Sequence, residues 1–174
     1  MAIHRLRQGL RALFASTRPV DDQLAGRFLS RDQFTAFRRL QRGEQLHSLN
    51  VLRAVLAQEE ITPPDLALAA LMHDVGKIRS PQRLWQKSIT VLVRRFSPSL
   101  FVRLSRHTRS NVWYSRPFVA YVDHPAWSAE ILAQIGASEA AIWLVAHHAD
   151  PAEQWQTHDL FPLLQRLQAA DDTN

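Results

Sequence analysis

Residues 62–77, TPPDLALAALMHDVGK, decide how this chain folds and where its chemistry lies. A threonine cap and two prolines in the first turn are typical of a helix start, because the N–H groups that proline lacks are unpaired there anyway. The apolar run 66–72 then predicts a buried helix that ends near Gly76. Since His73 and Asp74 follow directly on this run, a carboxylate is carried into the interior. A buried carboxylate needs a cation or several hydrogen-bond donors, so the segment also marks a candidate site.

The rest of the chain has helical periodicity almost throughout, and no alternating segments bounded by hairpin turns. Ser30 and Gln33 have the spacing of a capping box at a helix start. Residues 81–107 predict one or two basic amphipathic helices, interrupted around Ser97 and Pro98. Seven or eight helices with short connections predict an all-α fold, a compact single-domain helical bundle.

Length and composition set the class of protein. The 174 residues fit one domain, and 46% apolar with 21% charged residues exclude a disordered chain, a collagen-like repeat and a coiled-coil rod. There is no cysteine, which excludes disulfides, thiolate nucleophiles and sulfur-ligated metal. We divide the chain into residues 1–30, a basic amphipathic helix and linker, and residues 31–174, the domain that carries the candidate site.

The charge distribution is uneven. Lysine and arginine number 21 against 16 acidic residues, and residues 76–122 hold ten basic residues and no acidic one. The first twenty residues also lack acids and carry four arginines. A field of one sign favours anionic partners such as nucleotides, nucleic acid or an acidic membrane surface.

No apolar run approaches the roughly 20 residues of a membrane span, and no sustained apolar segment follows the basic N-terminus. We therefore expect no transmembrane segment and a cytoplasmic location. The apolar stripe of the N-terminal helix leaves peripheral contact with a membrane surface open as an alternative to docking on its own domain.

Five of the eight histidines lie inside or at the ends of apolar helices. These five are His47, His73, His124, His147 and His148. A single histidine on such a helix is more often a hydrogen-bonded core residue than a ligand. The adjacent His73 and Asp74 favour a metal, since a cation neutralises the carboxylate and imidazoles are suitable co-ligands.

The order of these residues resembles the H…HDxGK…HP…HH…D pattern of the HD superfamily of metal-dependent phosphohydrolases, in its two-metal branch. The matching elements are His47, His73-Asp74-Val75-Gly76-Lys77, His124-Pro125, His147-His148 and Asp171. The resemblance covers about residues 33–172. It implies an HD-type helical bundle and makes residues 31–174 an HD-type metal-dependent hydrolase domain. The glycine-tyrosine-proline signature of the cyclic-di-GMP-degrading branch is missing after His148, so we do not expect that specificity.

The resemblance also implies the site. It assigns one metal to His47, His73, Asp74 and Asp171, and a second metal to Asp74, His124 and His147. Asp74 would bridge the two metals. Nitrogen and oxygen ligands without sulfur suit Fe, Mn, Co or Zn, as divalent or mixed-valence ions. Some relatives hold a third metal through a glutamate four residues before the first histidine; Gly43 stands there, with Glu44 offset by one, so we expect two metals.

Asp74 and Lys77 are the expected catalytic residues. Lys77 lies about one helical turn after Asp74, where its ammonium could contact a phosphate oxygen. Arg79 and Arg83 are expected to join Lys77 in binding substrate. His148 is a second-rank metal ligand or substrate contact.

Three functions stay open. The first is an HD-domain phosphohydrolase or phosphodiesterase that acts on a phosphorylated small molecule or nucleotide through two metals and a bridging hydroxide. The second is a mixed-valence di-iron oxygenase with the same six-ligand set. The third is a non-catalytic module that binds nucleotide or nucleic acid, although no nucleic-acid motif is present.

Overall fold

A computed structural model describes residues 19–58, 61–106 and 112–174 of the chain. Within these ranges there are nine α-helices, two short 3-10 helices and no strand. The α-helices are α1 (Asp22–Gly26), α2 (Arg31–Arg38), α3 (Arg42–Leu56), α4 (Pro64–Met72), α5 (Leu84–Phe96), α6 (Pro98–Leu104), α7 (Arg116–Gln134), α8 (Glu139–His147) and α9 (Phe161–Asp172). The 3-10 helices are Val75–Arg79 and Ala152–Trp155. The predicted all-α class is confirmed, and eight of the nine helices have seven residues or more.

Helix α4 is the centre of the fold. All its residues from 66 to 72 are buried, and α3, α8 and α9 pack around it. A helix that is apolar on every side must be covered on every side. The core formed in this way also includes Ala25 and Leu29, which lie in the segment that the sequence assigned to a linker. The division between residues 30 and 31 stays a prediction, and the N-terminal helix predicted within residues 1–18 lies outside the described residues.

Local signals set the helix boundaries. The capping box is present at α2, where the Ser30 hydroxyl accepts from the Gln33 N–H and the Gln33 side chain accepts from the Ser30 N–H. The predicted interruption between α5 and α6 is also present, and Pro98 opens α6. None of the helices in the described ranges is long and apolar enough to cross a bilayer.

Helix α4 ends earlier than the sequence predicts, at Met72 rather than near Gly76. The chain continues as the 3-10 helix Val75–Arg79, which packs closely on α7. A Cβ on Gly76 would clash with the His124 carbonyl oxygen and lie 2.7 Å from the Ser128 nitrogen. The Gly76 N–H donates to the Ser128 hydroxyl at 2.7 Å. Glycine therefore lets the chain that follows Asp74 approach the backbone of α7.

Candidate metal centre

Five elements bring their polar residues to one place. The contributing side chains are His47 of α3, His73 and Asp74 after α4, His124 of α7, His148 after α8, and Asp171 of α9. Asp74 stands at the centre, and only 2% of its surface is exposed. Its backbone (φ −98°, ψ 4°) leaves the helical conformation where α4 ends. The end of a buried helix thus places a carboxylate in the interior.

The first group of side chains faces one oxygen of Asp74. His73 Nε2 lies 3.4 Å and His47 Nε2 3.9 Å from Asp74 Oδ2. Asp171 Oδ1 lies 2.8 Å from His47 Nε2 and 3.6 Å from His73 Nε2. His73 Nδ1 is 3.1 Å from the Ala70 carbonyl oxygen, whereas its buried Nε2 makes no hydrogen bond. An orphaned buried nitrogen beside two carboxylates is the arrangement that a metal ion completes.

The second group faces the other oxygen of Asp74. His124 Nε2 lies 3.2 Å and His148 Nε2 4.0 Å from Asp74 Oδ1. His148 Nδ1 is 2.8 Å from the Val145 carbonyl oxygen, and this contact assigns the proton to Nδ1. His124 Nδ1 likewise lies against backbone carbonyl oxygens. The two Nε2 atoms are then unprotonated acceptors only 3.3 Å apart, beside a carboxylate oxygen. These three acceptor atoms converge on one point and provide the kind of ligands that a cation binds.

Pro125 explains how the His124 ring is held. A non-proline residue at 125 would donate its N–H to the Tyr121 carbonyl, four residues earlier on α7. Proline leaves that carbonyl unpaired, and His124 Nδ1 lies 2.9 Å from its oxygen. The His-Pro dipeptide therefore creates the acceptor that fixes the tautomer and orientation of the histidine.

The two carboxylates of the first group, Asp74 and Asp171, attract positive charge. Burial alone would lower the pKa of His73, but the Asp74 and Asp171 carboxylates outweigh burial and raise that pKa to about 9. Burial also opposes ionisation of Asp74, yet Lys77 and His73 hold the pKa of Asp74 well below its usual range. Burial would raise the pKa of Asp171 too, but its hydrogen bond to His47 and the charge of His73 lower it to about 2. The carboxylates are thus ionised and draw a cation toward them.

His148 has the opposite character. Burial and the neighbouring His73 and His124 rings lower its pKa to about 3. A neutral imidazole with a free Nε2 lone pair is the form in which histidine binds metal.

Lys77 is held between two carboxylates. Its Nζ lies 2.6 Å from Asp74 Oδ2 and 3.6 Å from Glu44 Oε2. Burial would lower the pKa of Lys77, but these two carboxylates raise it above the ordinary value. Glu44 is buried and also forms an ion pair with Lys87. Within the described part of the chain, Glu44 forms ion pairs with these two lysines.

The structure brings His148, and not His147, beside Asp74. The His147 ring packs against both Trp143 and Trp155, with ring centres 4.7 and 4.1 Å away, and its Nδ1 is 2.7 Å from Asp150 Oδ2. This placement differs from the expectation, which ranked His147 above His148. Helix α8 ends between the two residues, and its packing against α4 and α7 turns His148 inward.

Gln168 of α9 supports this end of α8. Its Nε2 donates to the carbonyl oxygens of His148 and Asp150, at 3.0 and 2.7 Å. Carbonyl groups at a helix C-terminus have no partner within the helix, so a side chain from another element satisfies them here. Sequence reasoning missed Gln168, because nothing local marks a glutamine as a partner of a distant helix end.

The site opens into a cavity of about 450 Å³. Lys77, Arg94 and Tyr121 line it together with the candidate ligands other than His73, and Arg94 hydrogen-bonds to the Tyr121 hydroxyl. The arginines predicted to bind substrate do not line this cavity. Arg79 pairs with Glu130 at 2.6 Å, and Arg83 is exposed just before α5. Sequence reasoning did not single out Arg94 within the basic segment 79–116; α5 presents it to the cavity from twenty residues beyond Asp74.

Comparisons with known proteins point to the same class. The family model of the HD domain matches residues 46–174, which hold all six side chains of the centre. Neither a curated protein nor a solved structure matches this chain. HD domains bind divalent metals and are in general metal-dependent phosphohydrolases, and this chain presents two His/Asp groups that could hold metal. The chain belongs to the HD domain family.

Proposed function

We propose that the protein is a metal-dependent phosphohydrolase with two metal ions that share Asp74. One observation carries the proposal: the two oxygens of a single buried carboxylate face two separate histidine groups. We assign His47, His73 and Asp171 to one metal, and His124 and His148 to the other. His148 thus takes the role that the family pattern suggested for His147.

When bound, the two metal ions would supply Lewis acidity toward a phosphoryl oxygen and a water-derived nucleophile. The chain's own residues would bind and orient the substrate. Lys77 is placed to contact a phosphoryl oxygen, because its ammonium lies beside the bridging carboxylate and on the cavity wall. Glu44 helps to position Lys77, because its Oε2 lies 3.6 Å from the ammonium.

The cavity supports an anionic substrate of nucleotide size. Its volume of about 450 Å³ lies within the usual range for small-molecule sites. Among the described residues, Lys77 and Arg94 contribute positive charge to its wall, and Tyr121 offers a ring next to Arg94. We therefore propose a phosphorylated small molecule or a nucleotide as substrate.

The test begins with metal content. Protein reconstituted separately with Fe, Mn, Co and Zn is expected to hold about two ions per chain with at least one of these metals, measured by elemental analysis. A panel of phosphomonoesters, phosphodiesters and nucleotides then defines the activity. The Arg94→Met variant should raise KM about tenfold or more with little change in kcat. The reason is that it removes an ion contact made equally by the bound substrate and by the transition state. Arg27→Met, at an exposed position after α1, is the matched control.

Other outcomes decide against the proposal. A mixed-valence di-iron signal in electron paramagnetic resonance, with oxygen consumption and no phosphoester turnover, would identify an oxygenase. Nucleotide binding with full metal content and no turnover would identify a binding module. Less than half an equivalent of every metal tested would remove the metal centre itself.

A further inference from the structure

Helix α5 carries its apolar side outward. Six large apolar residues of α5 are exposed, with 53% of Trp85, 54% of Leu92 and 78% of Phe96 accessible. We call four of them, Trp85, Ile89, Leu92 and Phe96, the α5 outer face. At 100° per residue these four fall within about 60° of the helix circumference, with no polar residue between them. The face is therefore continuous.

The polar side of α5 faces the protein body. Thr90 is buried, Lys87 pairs with the buried Glu44, and Arg94 contacts Tyr121 of α7. A helix that only covers its own domain has the reverse arrangement, with its apolar side buried. The exposed apolar surface extends beyond α5 to Trp113, which is 71% accessible and shares a surface groove with Trp85 and Ile89. A large exposed apolar patch marks an interaction surface.

The chain segment that carries this patch has only positively charged side chains. Residues 76–122 contain no acidic side chain. Four arginines of this segment are exposed: Arg95, Arg103, Arg106 and Arg116. Large apolar side chains flanked by arginines are the features of a helix that lies in the interface of an anionic membrane.

We propose that α5 and α6 form a membrane-docking surface, with the α5 outer face inserted among the lipids and the flanking arginines on anionic headgroups. The other occupants fit less well. A second copy related by twofold symmetry would bring the same basic patch against itself. The chain's own first 18 residues carry four arginines and no acid, so they repel the patch as well. Nucleic acid would suit the arginines and tryptophans, but it gives the exposed leucines and isoleucine no apolar partner.

Co-sedimentation with vesicles tests the proposal directly. The full chain should bind vesicles of equal parts phosphatidylglycerol and phosphatidylcholine, and bind pure phosphatidylcholine at least about tenfold more weakly. The triple variant Trp85→Gln, Leu92→Gln, Phe96→Gln should lose at least about tenfold in binding, because three apolar insertions are removed. All three positions are exposed, so circular dichroism should show an intact fold. Ile61→Gln, at an apolar position that is 79% exposed outside α5 and α6, should bind like the wild type.

Charge reversal tests the proposed contacts between the arginines and the anionic headgroups. Arg95→Glu with Arg103→Glu should weaken binding to the anionic vesicles about tenfold or more. Arg27→Glu with Arg31→Glu changes the net charge equally at exposed sites outside α5 and α6, and should have a clearly smaller effect. Equal effects of the two pairs would mean that only net charge matters, which contradicts a docking surface at α5 and α6.

Site-specific labelling locates the contact, because the chain has no cysteine of its own. An environment-sensitive fluorophore on Leu92→Cys should shift to the blue on adding anionic vesicles, whereas one on Ile61→Cys should not. Three results would overturn the proposal: unchanged vesicle binding by the triple variant, a label at 92 already shielded without vesicles, or a wild-type dimer that the triple variant converts to monomers. Oligonucleotide binding that the triple variant loses, without vesicle binding by the wild type, would assign the surface to nucleic acid.

Discussion

At the scale of single residues, Asp74 joins the two halves of the centre. Its Oδ2 faces His73 and Lys77, and its Oδ1 faces His124. Each histidine belongs to only one of the two groups, whereas the Asp74 carboxylate contacts both. The buried position of Asp74 also makes its charge costly unless cations surround it.

The Asp74→Asn substitution should therefore remove more metal than the loss of any one histidine. We expect metal content to fall from about two ions to less than one, and turnover to fall at least about a hundredfold. Lys77→Met should keep both ions and weaken substrate binding or transition-state stabilisation instead. Elemental analysis and steady-state kinetics measure both effects. The assignment of roles would be wrong if Lys77→Met released metal and Asp74→Asn retained it.

A second prediction concerns Pro125. Because proline has no N–H, the Tyr121 carbonyl oxygen is available to His124 Nδ1. Pro125→Ala should restore the helical hydrogen bond and release the His124 ring. We expect an unchanged or higher melting temperature, together with metal affinity reduced about 10–100-fold, the usual cost of losing an orienting partner. Titration calorimetry and thermal unfolding measure the two quantities. Pro162→Ala, at an exposed proline in the first turn of α9, is the control, and its metal affinity should stay at the wild-type value. An equal loss in both variants would contradict the orienting role.

At the scale of elements, the site depends on two close contacts between helices. The 3-10 helix Val75–Arg79 lies against α7 because Gly76 has no side chain. The end of α8 is held by Gln168 of α9. The first contact sets the position of Asp74 relative to His124, and the second sets the position of His148.

Gly76→Ala should force the 3-10 helix away from α7. The added Cβ meets backbone atoms, which cannot rotate away, so we expect a loss of about 1–3 kcal/mol in unfolding free energy and a weaker second metal. Gly43→Ala is the matched control: nothing lies within 4 Å of its Cβ, and alanine should stabilise α3 by up to about 1 kcal/mol. Denaturant unfolding and metal titration measure both variants. Equal behaviour of the two variants would show that the close approach is unimportant.

Gln168→Met keeps the length of the side chain but removes its donor. We expect a loss of about 1–3 kcal/mol in stability, because carbonyls at the end of α8 lose their partner, and a weaker second metal because His148 moves. Gln165→Met lies on the same helix at an exposed position and should be close to neutral. An unaltered metal affinity in Gln168→Met would separate the support of α8 from the metal centre.

At the scale of the whole molecule, the centre draws its side chains from α3, α4, α7, α8 and α9. A ligand that binds these elements only when they are assembled stabilises the folded state by mass action. At a free metal concentration of 100 times Kd the gain is about 2.7 kcal/mol, which corresponds to about 5–10 °C in Tm for a chain of this size. Chelation should reverse the shift. Asp74→Asn should show almost none, and a metal-induced shift that survives in this variant would place the metal elsewhere.

The sequence alone predicted the class of fold and the residue types of the candidate centre. Apolar residues repeat with the helical period, and this local property predicts helices without knowledge of their neighbours. The buried run 66–72 leads into His73 and Asp74, and a carboxylate carried into the interior needs a cation or several hydrogen-bond donors on energetic grounds. The predicted all-α fold is confirmed, and the residue types of the candidate centre could be read in advance.

The tertiary structure decided which of these side chains meet. His147 and His148 are adjacent, and their side chains point about 100° apart, so only the packing of α8 on α4 and α7 determines which one faces Asp74. Packing also determines that Arg94, rather than Arg79 or Arg83, lines the cavity. It likewise determines that the apolar side of α5 faces outward. A sequence pattern states which side of a helix is apolar. Where that side points depends on the helices that pack around it, because burial is a property of the assembled chain.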